Sequence, residues 1–414
     1  MSNYKLLNSN LVKNFSYLTL IQILTLLIPF IYYPYIIRKY NIDMYGLVIF
    51  IQSIIMIMSI VVDFGFNIHG TKLASENRFR KNKLSIIYSN ITVIKLVLVF
   101  LCSIIFSFVL KNNEKFNNNL LISCTLFFII LGEALFSQWL FQGLEKIKIA
   151  AIINLFSKLI LLLFIFIGTN TYLDFFAFPL GLSISSILNG FLSVFCIRYH
   201  LKIKIVRPKL YFLKKYFKDS FSFLLSRAVG TIVIKLNTYI LGNYVGLSYV
   251  AYYDLAEKLV NLLIIPVNML NQVVYPHIVK NKNFYLSLKI IKILLPIYFI
   301  AYILTFLFSE YFILIFAGSH MRESYNILII LYLSIFFNII SYFLGNCTLI
   351  VLNKKKEFNN STYWGLITYA LLFFIINQLN IINVYTLSLL IVSNAAIVSI
   401  YRIIKVFKYL KIEN

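Results

Sequence analysis

Residues 86–109 read IIYSNITVIKLVLVFLCSIIFSFV, a long run in which Lys95 is the single charged side chain. At a rise of about 1.5 Å per residue, a helix of this length spans the ~30 Å hydrocarbon core of a bilayer. Runs of similar length, separated by short polar breaks, recur along the chain and predict about twelve membrane-spanning helices. The predicted spans are 15–36, 45–66, 86–109, 120–141, 149–168, 175–197, 219–242, 248–270, 289–309, 326–350, 361–377 and 384–403.

The composition agrees with a chain that lies mostly inside a membrane. Hydrophobic residues make up 61% of the 414 residues and charged residues 13%, against roughly 25% charged residues in soluble domains. A soluble protein of this size could not keep so much apolar surface away from water. The predicted fold class is therefore an all-α integral membrane protein.

The distribution of basic residues predicts the orientation of these spans. The formal net charge is +24, from 38 lysines and arginines against 14 acidic residues. The loops on the side of both termini hold 28 of the basic residues, and the opposite loops hold 5. Because loops rich in lysine and arginine stay in the cytoplasm, both termini are predicted to be cytoplasmic. The charge thus reflects topology and does not indicate nucleic-acid binding.

The longest polar break divides the predicted spans into two groups of six. Its aromatic and basic residues predict an amphipathic cytoplasmic linker at 205–218, between an N-terminal lobe (1–204) and a C-terminal lobe (219–414). The sequence PYIIRKYNIDMY at 34–45 aligns without gaps on TYILGNYVGLSY at 238–249. Both stretches follow the first predicted span of their lobe, so they predict a parallel repeat, an arrangement found in transporters.

Five basic residues lie inside the predicted spans, where charge is costly and marks functional candidates. They are Lys95, Lys158, Arg227, Lys235 and Lys258. The acidic residues at membrane depth are Asp63, Glu133, Asp254 and Glu257.

The depths of these charges suggest two arrangements. Lys95, Lys158, Arg227 and Glu133 fall near the bilayer middle, about 12–14 Å from the cytoplasmic helix ends. Three cations against one anion predict a water-filled cationic cavity for an anionic guest such as phosphate or pyrophosphate.

Lys235 and Asp254 are the predicted partners of an ion pair. The alternatives are that the charges form buried pairs that orient helices, or that the carboxylates serve proton or sodium coupling.

Motifs of common enzymes are absent from the sequence. There is no GxxxxGK[ST] loop, no DxD pair and no HExxH motif, and no predicted outer loop is long enough for a catalytic domain. The sequence therefore predicts a transporter without a metal or cofactor and not an enzyme.

Several stretches, in this order, resemble Wzx-type O-antigen flippases, the polysaccharide-biosynthesis branch of the multidrug/oligosaccharidyl-lipid/polysaccharide exporter superfamily. They are Leu20-Ile-Gln22, Pro29, Pro34-Tyr-Ile-Ile-Arg38, Tyr45-Gly46, Asp63-Phe-Gly-Phe-Asn67, Gly70-Thr-Lys72, Arg78, Gln138-Trp-Leu-Phe-Gln-Gly-Leu-Glu-Lys146 and Tyr252-Tyr-Asp-Leu-Ala-Glu-Lys258. The resemblance covers nearly the whole chain. It implies a MATE-like fold of two six-helix lobes in a bacterial cytoplasmic membrane.

The resemblance also implies a substrate and a mechanism. It implies translocation of an undecaprenyl-pyrophosphate-linked oligosaccharide by alternating access. The implied partners are membrane lipids and the polymerase and chain-length proteins of the same pathway. Under this interpretation Arg227, Lys95 and Lys158 attract the pyrophosphate, and Lys235 and Lys258 lie further along its route.

Other functions stay open. They are a multidrug cation antiporter of the same superfamily, a membrane-embedded polymerase or glycosyltransferase, and an exporter of another polymer such as capsule or teichoic acid.

Overall fold

The computed structural model describes residues 21, 24, 25, 27–281 and 284–413, without the side chains of 222, 223, 225–229, 272, 273, 276, 277, 279–281 and 410–413. Within these ranges the chain is helical and contains no β-strand. The α-helices are α1 (27–39), α2 (Ile42–Asp63), α3 (Phe66–Glu76), α4 (Lys81–Asn112), α5 (Glu114–Asn117), α6 (Leu120–Leu135), α7 (Gln138–Gly143), α8 (Ile147–Gly168), α9 (Ala177–Phe195), α10 (Leu210–Tyr244), α11 (Leu247–Asn281), α12 (Tyr285–Ala317), α13 (Ser324–Leu344), α14 (Lys355–Gln378) and α15 (Val384–Glu413).

Eight helical stretches among the described residues are long and apolar enough to cross a membrane. Each of them contains most or all of one predicted span, which confirms an all-helical, multi-pass membrane protein. Three further predicted spans (219–242, 248–270 and 361–377) fall inside α10, α11 and α14, which are not among the eight. The first predicted span lies partly outside the described residues, so the number of twelve crossings stays a prediction.

The chain forms two compact units. The first unit comprises the described residues up to Tyr40 together with Ile51–Ala228, and the second comprises Asn41–Phe50 together with Val229–Asn414. The amino-terminal part of α2 thus belongs to the second unit. The predicted division at 204 and 218 stays a prediction.

In the first unit, α6 packs closely against α9. A Cβ added to Gly132 of α6 would overlap the backbone of Ser186 in α9, and one added to Gly190 would meet the carbonyl oxygen of Gly132. Small residues at a helix contact let the two backbones approach, which favours association where lipid supplies no hydrophobic driving force.

The stretch between α9 and α10 is held against α4 by hydrogen bonds. Residues 203–209 lie along α4: the backbone N–H groups of Lys204 and Val206 donate to the hydroxyls of Ser85 and Ser89, at 3.0 and 2.9 Å. The N–H of Lys209 donates to Asn90 Oδ1 at 3.1 Å. Residues 210–218, predicted as part of the linker, form the first turns of α10, which continues without a break to Tyr244.

In the second unit, the start of α2 packs against the start of α11. A Cβ on Gly46 would overlap the carbonyl oxygen of Leu247, and the rings of Phe50 and Tyr239 stack with centroids 5.3 Å apart. The two copies of the predicted repeat have the same local structure. In each, a helix ends, two residues connect, and a new helix begins, at Ile42 in the first copy and at Leu247, one aligned position later, in the second.

Candidate functional site

The first unit holds a charged cluster of Lys95, Asp63 and Glu133. Lys95 is 3% exposed and its ammonium lies 3.4 Å from Asp63 Oδ1. Glu133, on α6, has an exposed side chain and interacts electrostatically with both residues. Asp63 is the last residue of α2, where positive φ angles at Phe64 (47°) and Gly65 (77°) turn the chain into α3.

The predicted excess of positive charge does not hold for this part of the described structure. Lys95 interacts with two carboxylates, Glu133 and Asp63. Asp63 is predicted only to lie near a helix end, but its carboxylate points toward Lys95 on α4. Lys158 is the other described cation of the mid-depth group. Its ammonium donates to the carbonyl oxygen of Thr25 at 3.0 Å and forms no ion pair with a described carboxylate.

Arg227 lies on α10, but its side chain is outside the described residues. Its predicted contacts therefore stay a prediction.

The second unit holds a triad of Asp254, Lys258 and Tyr45, in which Asp254 and Tyr45 are buried and Lys258 is partly buried. The Tyr45 hydroxyl donates to Asp254 Oδ2 at 2.5 Å, and Lys258 donates to the Tyr45 oxygen at 2.8 Å. Lys258 also forms an ion pair with Asp254, four residues earlier on the same helix. This spacing places the two side chains on one face of α11.

Lys235 pairs with Glu257, at 2.9 Å and 3.3 Å from its two carboxylate oxygens, so the predicted pair with Asp254 is wrong. The reason is hairpin geometry: Lys235 lies nine residues before the end of α10, and Glu257 ten residues after the start of α11. Asp254 lies only seven residues after that start, which is two to three residues nearer the connecting turn than the position level with Lys235, or less than one helical turn.

The Lys235–Glu257 pair lines a cavity of about 520 Å³ within the second unit. The cavity is also lined by Arg402 of α15 and by the amides Asn338 and Asn394. Sequence reasoning missed these residues. It counted Arg402 among the loop charges, although this residue falls within the predicted span 384–403, and it did not weigh neutral amides inside apolar runs.

No group of three histidine, cysteine or acidic side chains suited to a metal ion occurs within the described ranges. Lys95, Lys235 and Lys258 instead lie beside carboxylates of opposite charge.

Solved structures with the same fold are membrane transporters. The lipid II flippase MurJ, in an inward closed conformation, is similar over 94% of this chain and 87% of its own, with a TM-score of 0.76 and 16% identity. An inward-facing multidrug resistance MATE family transporter of the MOP superfamily is similar over 94% of this chain and 96% of its own, with a TM-score of 0.72 and 14% identity. These two likenesses show the fold of the chain.

The chain belongs to the polysaccharide biosynthesis protein family, which matches residues 11–282. Two bacterial relatives share the name "Putative O-antigen transporter". The relative from Shigella dysenteriae is 28% identical over 295 residues, which cover 67% of this chain and 70% of the relative. The relative from Escherichia coli (strain K12) is 24% identical over 269 residues, covering 65% of each chain. The family resemblance stated from the sequence is thereby confirmed, and the chain is a membrane transporter and not an enzyme.

Proposed function

We propose that this protein is a flippase that moves an undecaprenyl-pyrophosphate-linked oligosaccharide across the bacterial cytoplasmic membrane by alternating access. The oligosaccharide is the repeat unit of O-antigen or a related polysaccharide. Both termini lie in the cytoplasm, and twelve spans form two six-helix lobes. On the outer face, polymerase and chain-length proteins of the same pathway consume the product.

The observation that carries this proposal is the family match together with the names of the relatives. The fold, similar to that of the lipid II flippase, supports it, because that protein is a flippase by name. The charged side chains inside the apolar helices support it as well, since such groups mark substrate or ion pathways in membrane proteins.

The five basic residues differ in the charge that they can offer the pyrophosphate. Lys95, Lys235 and Lys258 each face a carboxylate, so their positive charge is largely compensated. Lys158 donates only to a carbonyl oxygen among the described residues, so no described carboxylate competes with an anionic headgroup for its ammonium. We therefore assign the first attraction of the pyrophosphate to Lys158 and Arg227, and later contacts to Lys95, Lys235 and Lys258.

The carboxylates Asp63, Glu133, Asp254 and Glu257 hold these lysines in position. Release of a lysine to the pyrophosphate frees its carboxylate to bind a proton or sodium ion. Substrate movement and ion coupling would then use the same pairs.

The proposal is tested in a strain that lacks this protein. The wild-type chain restores surface polysaccharide, whereas the strain without it accumulates lipid-linked oligosaccharide on the cytoplasmic face. Arg227→Ala abolishes restoration at a normal protein level, and the matched control Arg322→Ala does not, because Arg322 is exposed and pairs with Glu310. Unchanged surface polysaccharide with Arg227→Ala at normal expression contradicts the role of Arg227 in binding the pyrophosphate. Failure of the wild-type chain to restore surface polysaccharide contradicts the proposed flippase function.

A further inference from the structure

The cavity of the second unit has the size of a small-molecule site. Its volume of about 520 Å³ lies within the ~300–1,000 Å³ of typical ligand pockets. The walls come from α10, α11, α13, α14 and α15, all of which contribute polar side chains. The cavity is therefore a partly open volume inside one unit, mainly apolar in surface but with polar side chains on each of its walls.

Three amides of the wall are free to bind a guest. Asn261, Asn338 and Asn394 line the cavity, and their side chains make no hydrogen bond to any residue that the structure describes. Each amide carries two N–H donors and a carbonyl acceptor. Sugar hydroxyl groups both donate and accept, so this pattern suits a carbohydrate ring.

Arg402 adds a buried positive charge to the same wall. It is 4% exposed; its Nε donates to Ser361 Oγ at 2.9 Å and its Nη1 to the carbonyl oxygen of Ser341 at 2.7 Å. Its Nη2 donates no hydrogen bond to a described residue, and no described carboxylate lies within ion-pair distance of the guanidinium. The other cation of the wall, Lys235, is paired with Glu257.

The cavity wall therefore carries one positive charge that its described carboxylates do not balance. A buried cation without an anionic partner is strongly destabilising, so this position favours an anionic guest. The remaining guanidinium nitrogen, Nη2, can donate a charge-assisted hydrogen bond to a carboxylate oxygen.

We propose that this cavity binds a sugar residue that bears a carboxylate, as part of the translocated glycan. The proposal rests on the proposed function, because it assigns a substrate class to the same transporter. The free amides bind the ring hydroxyls, and Nη2 of Arg402 binds the carboxylate. A pyrophosphate fits the amide wall less well, because it offers no ring hydroxyls to the amides.

The test uses the full-length protein, purified and reconstituted in nanodiscs. Binding of methyl β-D-glucuronide and of its neutral analogue methyl β-D-glucoside is measured by calorimetry or saturation-transfer NMR. The glucuronide binds the wild type at least about tenfold more tightly, in line with hydrogen bonds to a charged group. Arg402→Gln removes this preference, and the control Arg322→Gln keeps it.

A second variant separates binding from folding, because Arg402→Gln also removes hydrogen bonds to α13 and α14. Asn338→Leu keeps every contact of Arg402. It weakens the binding of both sugars by about threefold to tenfold, because one amide that would bind a ring hydroxyl is lost. Equal binding of the two sugars by the wild type, no binding of either, or unchanged binding in both variants overturns the proposal.

Restoration of surface polysaccharide by the wild type is scored in parallel. Restored polysaccharide without glucuronide binding overturns the sugar site alone. Glucuronide binding without restoration keeps the site and overturns the proposed transport.

Discussion

Glu257→Gln removes the carboxylate that faces Lys235. The side chains of Lys235 and Glu257 are 19% and 16% exposed, so their pair lies between surface pairs, worth about 0–1 kcal/mol, and buried pairs, whose disruption costs about 3–5 kcal/mol. We expect a destabilisation of about 1–3 kcal/mol. An unfolding entropy of about 2.1 cal/mol/K per residue converts this into a Tm decrease of about 1–3 °C.

The assay is thermal unfolding of the purified protein, with Glu310→Gln as the control. Glu310 pairs with Arg322, which is 70% exposed, so its loss changes stability by less than about 1 kcal/mol. The swap Lys235→Glu/Glu257→Lys recreates a pair of opposite charges and restores most of the Tm. If the Tm of Glu257→Gln is no lower than the Tm of Glu310→Gln, the Lys235–Glu257 pair does not stabilise the protein.

The same swap separates stability from transport. If Lys235 contacts the pyrophosphate as proposed, the swapped protein regains its Tm but restores little surface polysaccharide. Full restoration by the swapped protein contradicts a direct role of Lys235 in substrate binding.

Further predictions concern three separate sites. Gly46→Ala places a methyl group against the carbonyl oxygen of Leu247 and lowers stability by about 1–3 kcal/mol, measured as a lower Tm; an unchanged Tm contradicts the close contact. Lys158→Met abolishes restoration of surface polysaccharide at a normal protein level, whereas Lys158→Arg retains it. Equal restoration by the two variants contradicts a requirement for a positive charge at position 158. The hydrogen bond from the Tyr401 hydroxyl lowers the pKa of Glu357 below its usual 4.5. The Glu357 carboxylate therefore stabilises the fold above about pH 4.5, and this stabilisation is lost as the pH falls through the lowered pKa. Glu357→Gln makes the decrease of Tm in acid smaller, and an identical decrease in the wild type and the variant contradicts this role of Glu357.

The membrane class and the helices could be predicted from the sequence because each span is a long local pattern. An apolar run such as 86–109 needs no partner to be recognised, and it corresponds to α4. The intramembrane charges were found for the same reason, since Lys95 interrupts an otherwise uncharged stretch.

The pairing of those charges could not be predicted, because it depends on how the helices pack. Lys235 pairs with Glu257 and not with Asp254 because Glu257 lies level with it along the helical hairpin. Glu257 and Asp254 are three residues apart, so an error of three residues in a predicted helix boundary assigns the wrong partner. Asp63 reaches Lys95 because two residues with positive φ end α2 directly after it. Counting from span boundaries that are uncertain by several residues does not resolve such differences.

The cavity of the second unit was missed because its polar groups come from five separate helices. A single asparagine in an apolar run, such as Asn338 or Asn394, carries no charge and resembles a structural residue. Only the packed helices bring these amides together with Arg402.

The segment at 203–209 has a consequence for the evolution of this chain. Its alternate backbone amides at 204 and 206 reach Ser85 and Ser89, one helical turn apart on α4. A one-residue insertion or deletion between them would turn the next amide away from its acceptor. A stretch that reads as an ordinary loop is therefore expected to keep a fixed length among homologues, even where its residue types change freely.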